Sequence, residues 1–232
     1  MSSTLETGQP PQRRAPTSRS EPMRVAIIGS GNVGRAMSQA VVKAGHQVAL
    51  SAADRENAAA AAAEVGADAA ENNVAAVAGA DVVILAVPGN VAAEVAQEIA
   101  SAAAGKTVID STNPLNETFT DLDIEETSAA QELQRHLPDA SVVKAFNTIF
   151  AGRHGDPQEE GVPLDAYYAG DDVGAKQVVA QLAESLGYRP VDVGGLRMAR
   201  SLEEMAFLNI TLNATNSLPW QSGWKLLGPV EA

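Results

Sequence analysis

The sequence predicts an α/β fold built on a doubly wound, mostly parallel sheet, and two patterns support this prediction. Short apolar runs of strand length recur along the chain, with helix-compatible stretches between them. This alternation is typical of parallel sheets, because each crossover between parallel strands needs a connection such as a helix. The first apolar run also leads directly into a glycine-rich turn that opens a helix. The predicted strands are residues 25–28, 47–50, 82–87, 107–109 and 142–146, and the predicted helices are residues 32–43, 55–65, 72–78, 91–100 and 127–136.

The glycine-rich turn after the first strand has the spacing of a dinucleotide-binding loop. Gly29, Gly31 and Gly34 form the pattern GxGxxG. The first glycine permits a tight turn, the second allows close approach of the backbone to a pyrophosphate, and the third lets the helix pack closely on the strand. Free amides at the start of the helix would bind the pyrophosphate. The turn therefore predicts a Rossmann-type nucleotide site, and the alternative is a purely structural turn.

Residues 151–232 are predicted to continue the sheet and to end in a helical extension. A loop rich in Gly, Asp, Glu and Pro leads to a strand-like segment, AYYAG, then to a helix over residues 173–186 and a second strand, RPVDV. We expect this part to serve acceptor binding and dimerisation, whereas residues 23–150 form the dinucleotide-binding domain. Residues 1–22 are polar, with no apolar run, and are predicted to be a disordered tail.

The last predicted helix, over residues 196–216, carries one apolar stripe. Leu202, Met205, Leu208 and Leu212 recur at spacings of three and four. The stripe packs either on the core of the same chain or in a homodimer interface, and the sequence leaves both open. Apolar residues that would help such an interface follow the helix, namely Trp220, Trp224, Leu226 and Leu227.

The composition argues against several classes of function. The formal net charge of −13 predicts that the chain repels nucleic acids. No segment approaches the roughly 20 uninterrupted apolar residues of a bilayer span, so we expect a cytoplasmic protein without membrane attachment. The chain has no cysteine and its three histidines are widely spaced, so neither thiolate chemistry nor a metal site is expected.

The residues after the predicted strands are candidates for a ligand site, because ligands of doubly wound sheets bind outside the carboxyl ends of the strands. Neutral polar residues predominate there, among them Asn113, Asn147 and Thr148. Such residues can position two rings for hydride transfer, a reaction in which the cofactors carry the chemistry. The alternative is that Asn113 and Asn147 only shape turns.

A triad of acid, base and nucleophile is not supported by the sequence. Asp110 follows a strand, but its spacing to His136 and His154 matches no known arrangement. The histidines are expected on the surface. Positioning, rather than acid–base catalysis, is therefore the expected contribution of the protein.

Several segments together resemble the F420-dependent NADP oxidoreductase family, which includes the reductase domain of the STEAP metalloreductases. They are the glycine turn, AVPGN, DSTNPLN, VVKAFNT and AGDD, and the resemblance extends from about residue 23 to the end of the chain. It implies a dimeric Rossmann protein that passes hydride between NADP and a deazaflavin, F420, or a flavin. Carried over by position, the family places Ser30, Gly31, Asn32 and Val33 at the pyrophosphate and adjoining ribose, Val87, Pro88 and Asn113 beside the nicotinamide, and Asn147, Thr148 and Ile149 near the junction of the two rings.

The chain departs from the family where NADP and NAD are distinguished. Ala52 and Ala53 stand where the family usually has a Ser-Arg pair that holds the 2′-phosphate of NADP. Ser51 and Arg55 could substitute, because an arginine fork matches a phosphate and a serine can donate to it. A carboxylate at Asp54 would instead favour the free ribose hydroxyl of NAD. The family resemblance favours NADP, with NAD as the alternative.

The electron acceptor is less securely implied. Archaeal F420 enzymes of the family carry a histidine at the position of Asn147, whereas STEAP-type sequences resemble this chain there. We therefore expect an oxidoreductase that transfers hydride between NADP(H) and F420 or a flavin. The alternatives are a non-catalytic NAD(P)-binding sensor and a reductase of an unidentified small substrate.

Overall fold

The computed structural model describes residues 21–124 and 127–228, so the predicted disordered tail lies almost wholly outside the described residues. Strands and helices alternate along the chain up to β6, as the sequence predicts. The strands are β1 Arg24–Ile28, β2 Gln47–Ser51, β3 Asp68–Ala69, β4 Val82–Leu85, β5 Thr107–Asp110, β6 Ser141–Ala145, β7 Gln158–Glu159, β8 Val162–Pro163, β9 Asp165–Gly170 and β10 Arg189–Asp192.

Eight of these strands form one sheet with the order β10-β9-β6-β5-β4-β1-β2-β3. The strands from β1 to β6 pair in parallel, β9 is antiparallel to β6, and β10 is parallel to β9. The order of the first six strands is that of a Rossmann fold, in which the strand order reverses between β1 and β4. The predicted α/β fold with a doubly wound, mostly parallel sheet is therefore confirmed. The short strands β7 and β8 pair with each other.

Helices cover both faces of the sheet, which explains why β4, at its centre, is apolar along its whole length. Met37 and Leu182 belong to a core on one face, and Ile99 and Leu133 belong to a second core on the other. The helices are α1 Asn32–Lys43, α2 Arg55–Val65, α3 Asn73–Ala78, α4 Gly89–Ala103, α5 Ala129–His136, α6 Val173–Ser185 and α7 Ala199–Asn216. None of these described helices is both long enough and apolar enough to span a membrane.

The strand predicted over residues 82–87 ends early, and the helix after it is longer than predicted. Strand β4 stops at Leu85, and α4 begins at Gly89 and extends through Ala103. Pro88 is the N-cap of this helix with φ −57°. A proline so placed costs no hydrogen bond, because the first helical amides have no partner within the helix.

The prediction of one continuous apolar face on the last helix is wrong. A 3₁₀ turn occupies Leu196–Met198, and on α7 Leu202 is buried while Leu208 and Leu212 are 49% and 40% exposed. The buried side of α7 includes the polar residues Glu203, Asn209 and Asn213. Their side chains all make polar contacts, so polar groups replace apolar ones on this part of the buried face.

The expectation that the histidines lie on the surface is wrong for His46 and His154. The His46 ring contacts the Met23 amide and the Ser185 hydroxyl. His154 is 1% exposed, and its Nδ1 lies 2.8 Å from the Tyr188 hydroxyl. Both rings therefore link separate segments of the fold.

Candidate functional site

The carboxyl ends of the parallel strands meet along one edge of the sheet, where backbone hydrogen bonds hold the following loops together. The amide of Gly29, just after β1, donates to the carbonyl of Ser51 at the end of β2. The amide of Ser111, just after β5, donates to the carbonyl of Leu85 at the end of β4. The strand order reverses between β1 and β4, and doubly wound sheets bind their ligands in the crevice at such a point.

Two glycines of the turn are required by close backbone contacts. Gly29 has φ +120°, and a Cβ at this position would lie 2.2 Å from the carbonyl oxygen of Ala86. A Cβ on Gly34 would lie 1.8 Å from the carbonyl oxygen of Gly29. These positions therefore hold the turn tightly against α1 and the loop after β4.

Gly31, by contrast, faces open space. A Cβ on Gly31 would meet no atom of the described residues within 4 Å, and its φ of −73° is available to any residue. Gly31 is also the N-cap of α1, and no described side chain caps this helix. Ser30, Asn32 and Val33 beside it are partly or fully exposed, so the first amides of α1 are available to a ligand.

The loop after β2 divides its polar residues between structural roles and solvent. Ser51 is buried, and its hydroxyl donates to Oδ1 of Asn73 at 2.5 Å. Asp54 caps α2, since its two carboxylate oxygens accept from the amide and the side chain of Asn57. Arg55 is exposed and makes no hydrogen bond or ion pair to another described residue. Of the predicted residues in this loop, Arg55 is therefore the one whose side chain is free to meet a ligand.

The loops after β4 and β5 pack against each other through Gly89. A Cβ on Gly89 would lie 2.7 Å from the carbonyl oxygen of Asn113 and 2.9 Å from Cα of Pro114. Val87 is half-buried and Pro88 is exposed beside this contact. The structure thus brings together the segments AVPGN and DSTNPLN, which the sequence placed at the same site.

Asn113 and Asn147 form a reciprocal pair between the loops after β5 and β6. Nδ2 of Asn113 donates to the carbonyl oxygen of Asn147 at 2.9 Å, and Nδ2 of Asn147 donates to Oδ1 of Asn113 at 3.0 Å. Nδ2 of Asn147 also donates to the carbonyl oxygen of Leu202 on α7. Both amide orientations are therefore fixed by their partners. Oδ1 of Asn147 is buried and has no hydrogen-bond partner among the described residues.

The backbone beside this pair is strained. Phe146 is buried and has φ +64°, a conformation that costs free energy for a residue with a side chain. Its ring packs against His154 and Tyr188, with centroid separations of 6.3 and 5.9 Å. Thr148, two residues later, is also buried. The packed aromatic rings hold the turn that presents Asn147.

A fully buried ion cluster lies directly under these loops. The ammonium group of Lys144, on β6, lies 2.9 Å from Oδ2 of Asp110 and 3.0 Å from Oε1 of Glu203. It also donates to the carbonyl oxygen of Thr112 at 2.6 Å. The three donors of the ammonium group are therefore matched by three acceptors. We call Asp110, Lys144 and Glu203 the buried triad.

The surroundings of the buried triad favour a charged lysine. Burial alone would lower the pKa of Lys144, but attraction to Asp110 and Glu203 outweighs it and raises this pKa above its usual value. Burial raises the pKa of Glu203, although Lys144 opposes the shift. Glu203 also accepts from the first amides of α5, at Ala129 and Ala130, where the helix dipole favours a negative charge.

Lys144 and Glu203 are not among the predicted site residues, and Asp110 was considered only as a member of a catalytic triad that the sequence does not support. One signal was available for Lys144, which interrupts an otherwise apolar strand predicted to be buried. A charged side chain at such a position needs a buried partner. Glu203 gave no comparable signal, because it lies in a helix whose charged residues read as a solvated face.

Comparisons with known proteins agree with this architecture. The family model described as "NADP oxidoreductase coenzyme F420-dependent" matches residues 24–114. The F420-dependent NADP reductase of Methanothermobacter marburgensis is 31% identical over 213 residues, which is 84% of this chain and 95% of that protein. The metalloreductase STEAP3 of Rattus norvegicus is 32% identical over 105 residues, covering 45% of this chain and 21% of that protein.

Solved structures extend the similarity to the whole fold. A protein from Arthrobacter sp. FB24, provisionally assigned as an F420-dependent NADP reductase, superposes with a TM-score of 0.79 at 28% identity, covering 89% of this chain and all of that one. An imine reductase from Streptomyces aurantiacus gives a TM-score of 0.64 at 20% identity, covering 84% of this chain and 63% of that one, and shows the shared fold alone. By sequence and by fold, the chain belongs to the F420-dependent NADP oxidoreductase family.

Proposed function

We propose that this protein transfers a hydride between NADP and F420 or a flavin-type acceptor. One observation carries the proposal: the open backbone at Gly31 and the unpartnered Oδ1 of Asn147 belong to loops at the same edge of the sheet. The first suits a pyrophosphate and the second an N–H donor on a ligand ring. The printed names of the full-length relatives, F420-dependent NADP reductases, support the same pair of coenzymes.

The nucleotide half of the site is supported by what the glycine turn leaves free. The amides at the start of α1 have no side-chain cap, and the space over Gly31 is empty of protein atoms within 4 Å of a Cβ. A pyrophosphate there would complete the hydrogen bonds of the helix terminus and meet its partial positive charge. Ser30, Asn32 and Val33 would flank the phosphates and the adjoining ribose.

The ring half of the site is supported by the amide pair. Asn113 is locked against Asn147, and Asn147 keeps one carbonyl oxygen without a partner in a buried position. A buried acceptor of this kind is costly unless a ligand completes it. We propose that Asn147 accepts from the carboxamide N–H of a bound nicotinamide, while Val87, Pro88 and Thr148 shape the surrounding walls.

The reaction needs no proton from the protein at the transferring carbon. When bound, the coenzymes would supply the chemistry: a hydride would pass with its electron pair from the reduced nicotinamide to the acceptor ring, and the proton that completes the reduced acceptor would come from water. The residues of this chain therefore act by orientation, because a fixed near-attack geometry removes much of the entropic barrier. The carboxylates beneath the ring half accept from Lys144 and from backbone amides, and Asp110 also accepts from the Thr112 hydroxyl. They are engaged as acceptors within the fold.

NADP is the proposed nucleotide, with Arg55 at its 2′-phosphate. Asp54 is occupied as the N-cap of α2, so it is not placed as a free ribose acceptor at the end of β2. Ser51 is buried and bound to Asn73, which leaves Arg55 to supply the phosphate contact. An exposed guanidinium in the first turn of α2 is able to form a forked contact with a phosphate.

The test of the proposed function is steady-state oxidation of NADPH and of NADH by the purified protein, with F420 and then FMN as acceptor. The proposal expects turnover that requires an acceptor and a higher kcat/KM with NADPH. NADP binding without turnover on either acceptor would contradict it and would favour a sensor or a reductase of another small substrate. We place this reaction in the cytoplasm as part of the same proposal, since both substrates are water-soluble coenzymes.

We further propose that α7 and the segment after it form a homodimer interface. Leu208 and Leu212 are exposed on α7, and Leu226 and Leu227 are 46% and 83% exposed after it. Exposed large apolar side chains such as Leu208 and Leu212, one turn apart on the same helix, are typical of an interface. Residues 151–232 would then serve both dimerisation and acceptor binding.

Light scattering on the protein eluting from a sizing column tests the interface. We expect a dimer for the native chain and a monomer for Leu208→Lys, because a charge at the centre of an apolar interface is costly. Val173→Lys is the matched control, since Val173 is 66% exposed on α6. A native monomer, or equal dimerisation of both variants, would contradict the proposal.

A further inference from the structure

The buried triad costs stability wherever it lies, so its position beside the ring half of the site calls for a physical reason. Lys144, Asp110 and Glu203 are each fully buried. Removing three charged groups from water is expensive, and apolar replacements of similar shape are often at least as stable. The contacts of the triad show what the charges hold in place.

Lys144 and the side-chain amide of Asn147 bind neighbouring residues on the same two segments, the loop after β5 and the helix α7. Lys144 binds the carbonyl oxygen of Thr112, and Asn147 binds the side chain of the next residue, Asn113. Lys144 also binds Glu203, and Asn147 binds the carbonyl oxygen of the preceding residue, Leu202. One side chain of β6 and the turn that follows it therefore clamp the loop after β5 and the helix α7 at adjacent points.

Asp110 completes the clamp on the loop side. Its Oδ1 accepts from both the amide and the hydroxyl of Thr112, while its Oδ2 accepts from Lys144. The turn at Thr112 is thus fixed through its amide, its hydroxyl and its carbonyl oxygen. Little freedom remains for Asn113, which is the next residue and holds the amide of Asn147.

We propose that Lys144 is a positioning residue of the ring site, which ties the loop after β5 to α7 so that Oδ1 of Asn147 faces a bound ring. The inference rests on the proposed function, because it assigns Lys144 to the nicotinamide half of that site. Lys144 has no proposed role at the glycine turn, where backbone amides would bind the pyrophosphate. Loss of the triad should therefore affect the two halves unequally.

The experiment compares two ligands, NADP and 2′-phospho-ADP-ribose, which lacks the nicotinamide. The ratio of their affinities, measured by calorimetry, reports the contribution of the ring contacts alone. The variant carries three neutral substitutions, Lys144→Met, Asp110→Asn and Glu203→Gln. All three charges are removed together, because a single buried charge left without a partner would destabilise the fold. We expect the affinity for 2′-phospho-ADP-ribose to stay within about threefold, while the advantage of NADP over it is lost and kcat falls about 100-fold.

A matched control removes an ion pair of another buried carboxylate, on two strands that carry no member of the triad. Arg189, on the edge strand β10, pairs with the buried Asp165 on β9. Arg189→Gln should lower thermal stability without changing the affinity ratio or kcat. A structural role of the triad alone would instead make both variants behave alike, with loss of stability and an unchanged ratio.

The single variant Glu203→Gln decides the question if the triple variant does not fold. A glutamine offers only one oxygen, so it cannot accept from Lys144 and from both amides of α5 as Glu203 does. We expect a smaller fall in the affinity ratio and in kcat, with 2′-phospho-ADP-ribose bound as by the native protein. A native ratio in a folded variant would overturn the role of Lys144, whereas failure of the native protein to bind NADP would overturn the proposed function itself.

Discussion

The two halves of the candidate site lie at the same edge of the sheet but are built in opposite ways. The glycine turn presents backbone, with open space over Gly31 and no side-chain cap on α1. The region around Asn147 presents side chains that are locked by hydrogen bonds and supported by buried charges. A phosphate can be held by amides that any sequence supplies, whereas orienting a ring requires particular groups at fixed positions.

This difference determines how each half of the site responds to a single substitution. In the glycine turn, the addition of one methyl group is either tolerated by the protein or impossible, depending on the position. In the region of Asn147, the contacts come from β5, β6 and α7, so a change at one segment alters the others.

The largest effects are expected in the glycine turn, where Gly31 and Gly34 should fail for different reasons. Gly34→Ala places a Cβ 1.8 Å from the carbonyl oxygen of Gly29, so we expect loss of both thermal stability and NADP binding. Gly31→Val meets no protein atom within 4 Å and should leave the melting temperature within about 4 °C of native while NADP binding falls at least about 100-fold. Calorimetry and thermal melting measure both quantities. Native binding by a folded Gly31→Val protein would remove the pyrophosphate from this turn.

An intermediate effect is expected at Arg55, which tests whether the nucleotide half has a side-chain component. Arg55→Ala should raise the KM for NADPH about tenfold and leave the KM for NADH unchanged, because a charged hydrogen bond to the 2′-phosphate is lost. Arg135→Ala serves as the control, since Arg135 is exposed on α5 and pairs only with Glu132 of the same helix among the described residues. An equal loss with both nucleotides would place Arg55 away from the 2′-phosphate.

A smaller effect, on the stability of the whole fold, is expected from His154, whose ring packs against Phe146. Burial lowers the pKa of His154 from 6.5 to about 4. The unfolded chain therefore binds the proton more readily between these values, so stability is full above about pH 6.5 and falls as the pH drops toward 4. The slope is about 1.4 kcal/mol per pH unit within this window, or about 2 kcal/mol lost by pH 5.

Urea unfolding at pH 7.5 and pH 5 measures this loss against the variant His154→Gln. The variant cannot titrate at this position, so the difference in unfolding free energy between the two pH values should shrink by about 2 kcal/mol. All other titratable groups are the same in both proteins, so the difference between the two pH dependences reports on His154. An identical pH dependence in the two proteins would show that His154 is not held neutral by burial.

The sequence predicted the glycine turn and the asparagines of the ring half, but not the buried triad beneath them. Glycine spacing and apolar periodicity are local signals, and they located the turn at Gly29 and the helix after it correctly. The alternation of strands and helices predicted the fold class but no strand order, and it gave no sign of the two-residue strand β3 at Asp68–Ala69.

The buried triad could not be predicted because its members lie far apart in the chain. Asp110 and Lys144 are 34 residues apart, and Glu203 comes from α7 at the end of the described fold. The same limit explains the error on α7, where a regular apolar spacing masked a buried side that carries Glu203 and two asparagines. Periodicity assumes that buried positions are apolar, and a polar network inside the fold breaks that assumption.

The most direct test of the account is a single-turnover reaction with NADPH carrying deuterium at the transferring C4 position of the nicotinamide. The account predicts that the label passes to the reduced F420 or flavin acceptor without exchange, or with exchange only at a flavin nitrogen, and that the native protein shows a deuterium isotope effect on the transfer step. The label would appear at the receiving carbon of F420 as detected by mass spectrometry and NMR. With F420 as the acceptor, release of the label to water and none at that carbon would contradict a site built to hold two rings for direct hydride transfer, as would the absence of transfer from bound NADPH to either F420 or a flavin.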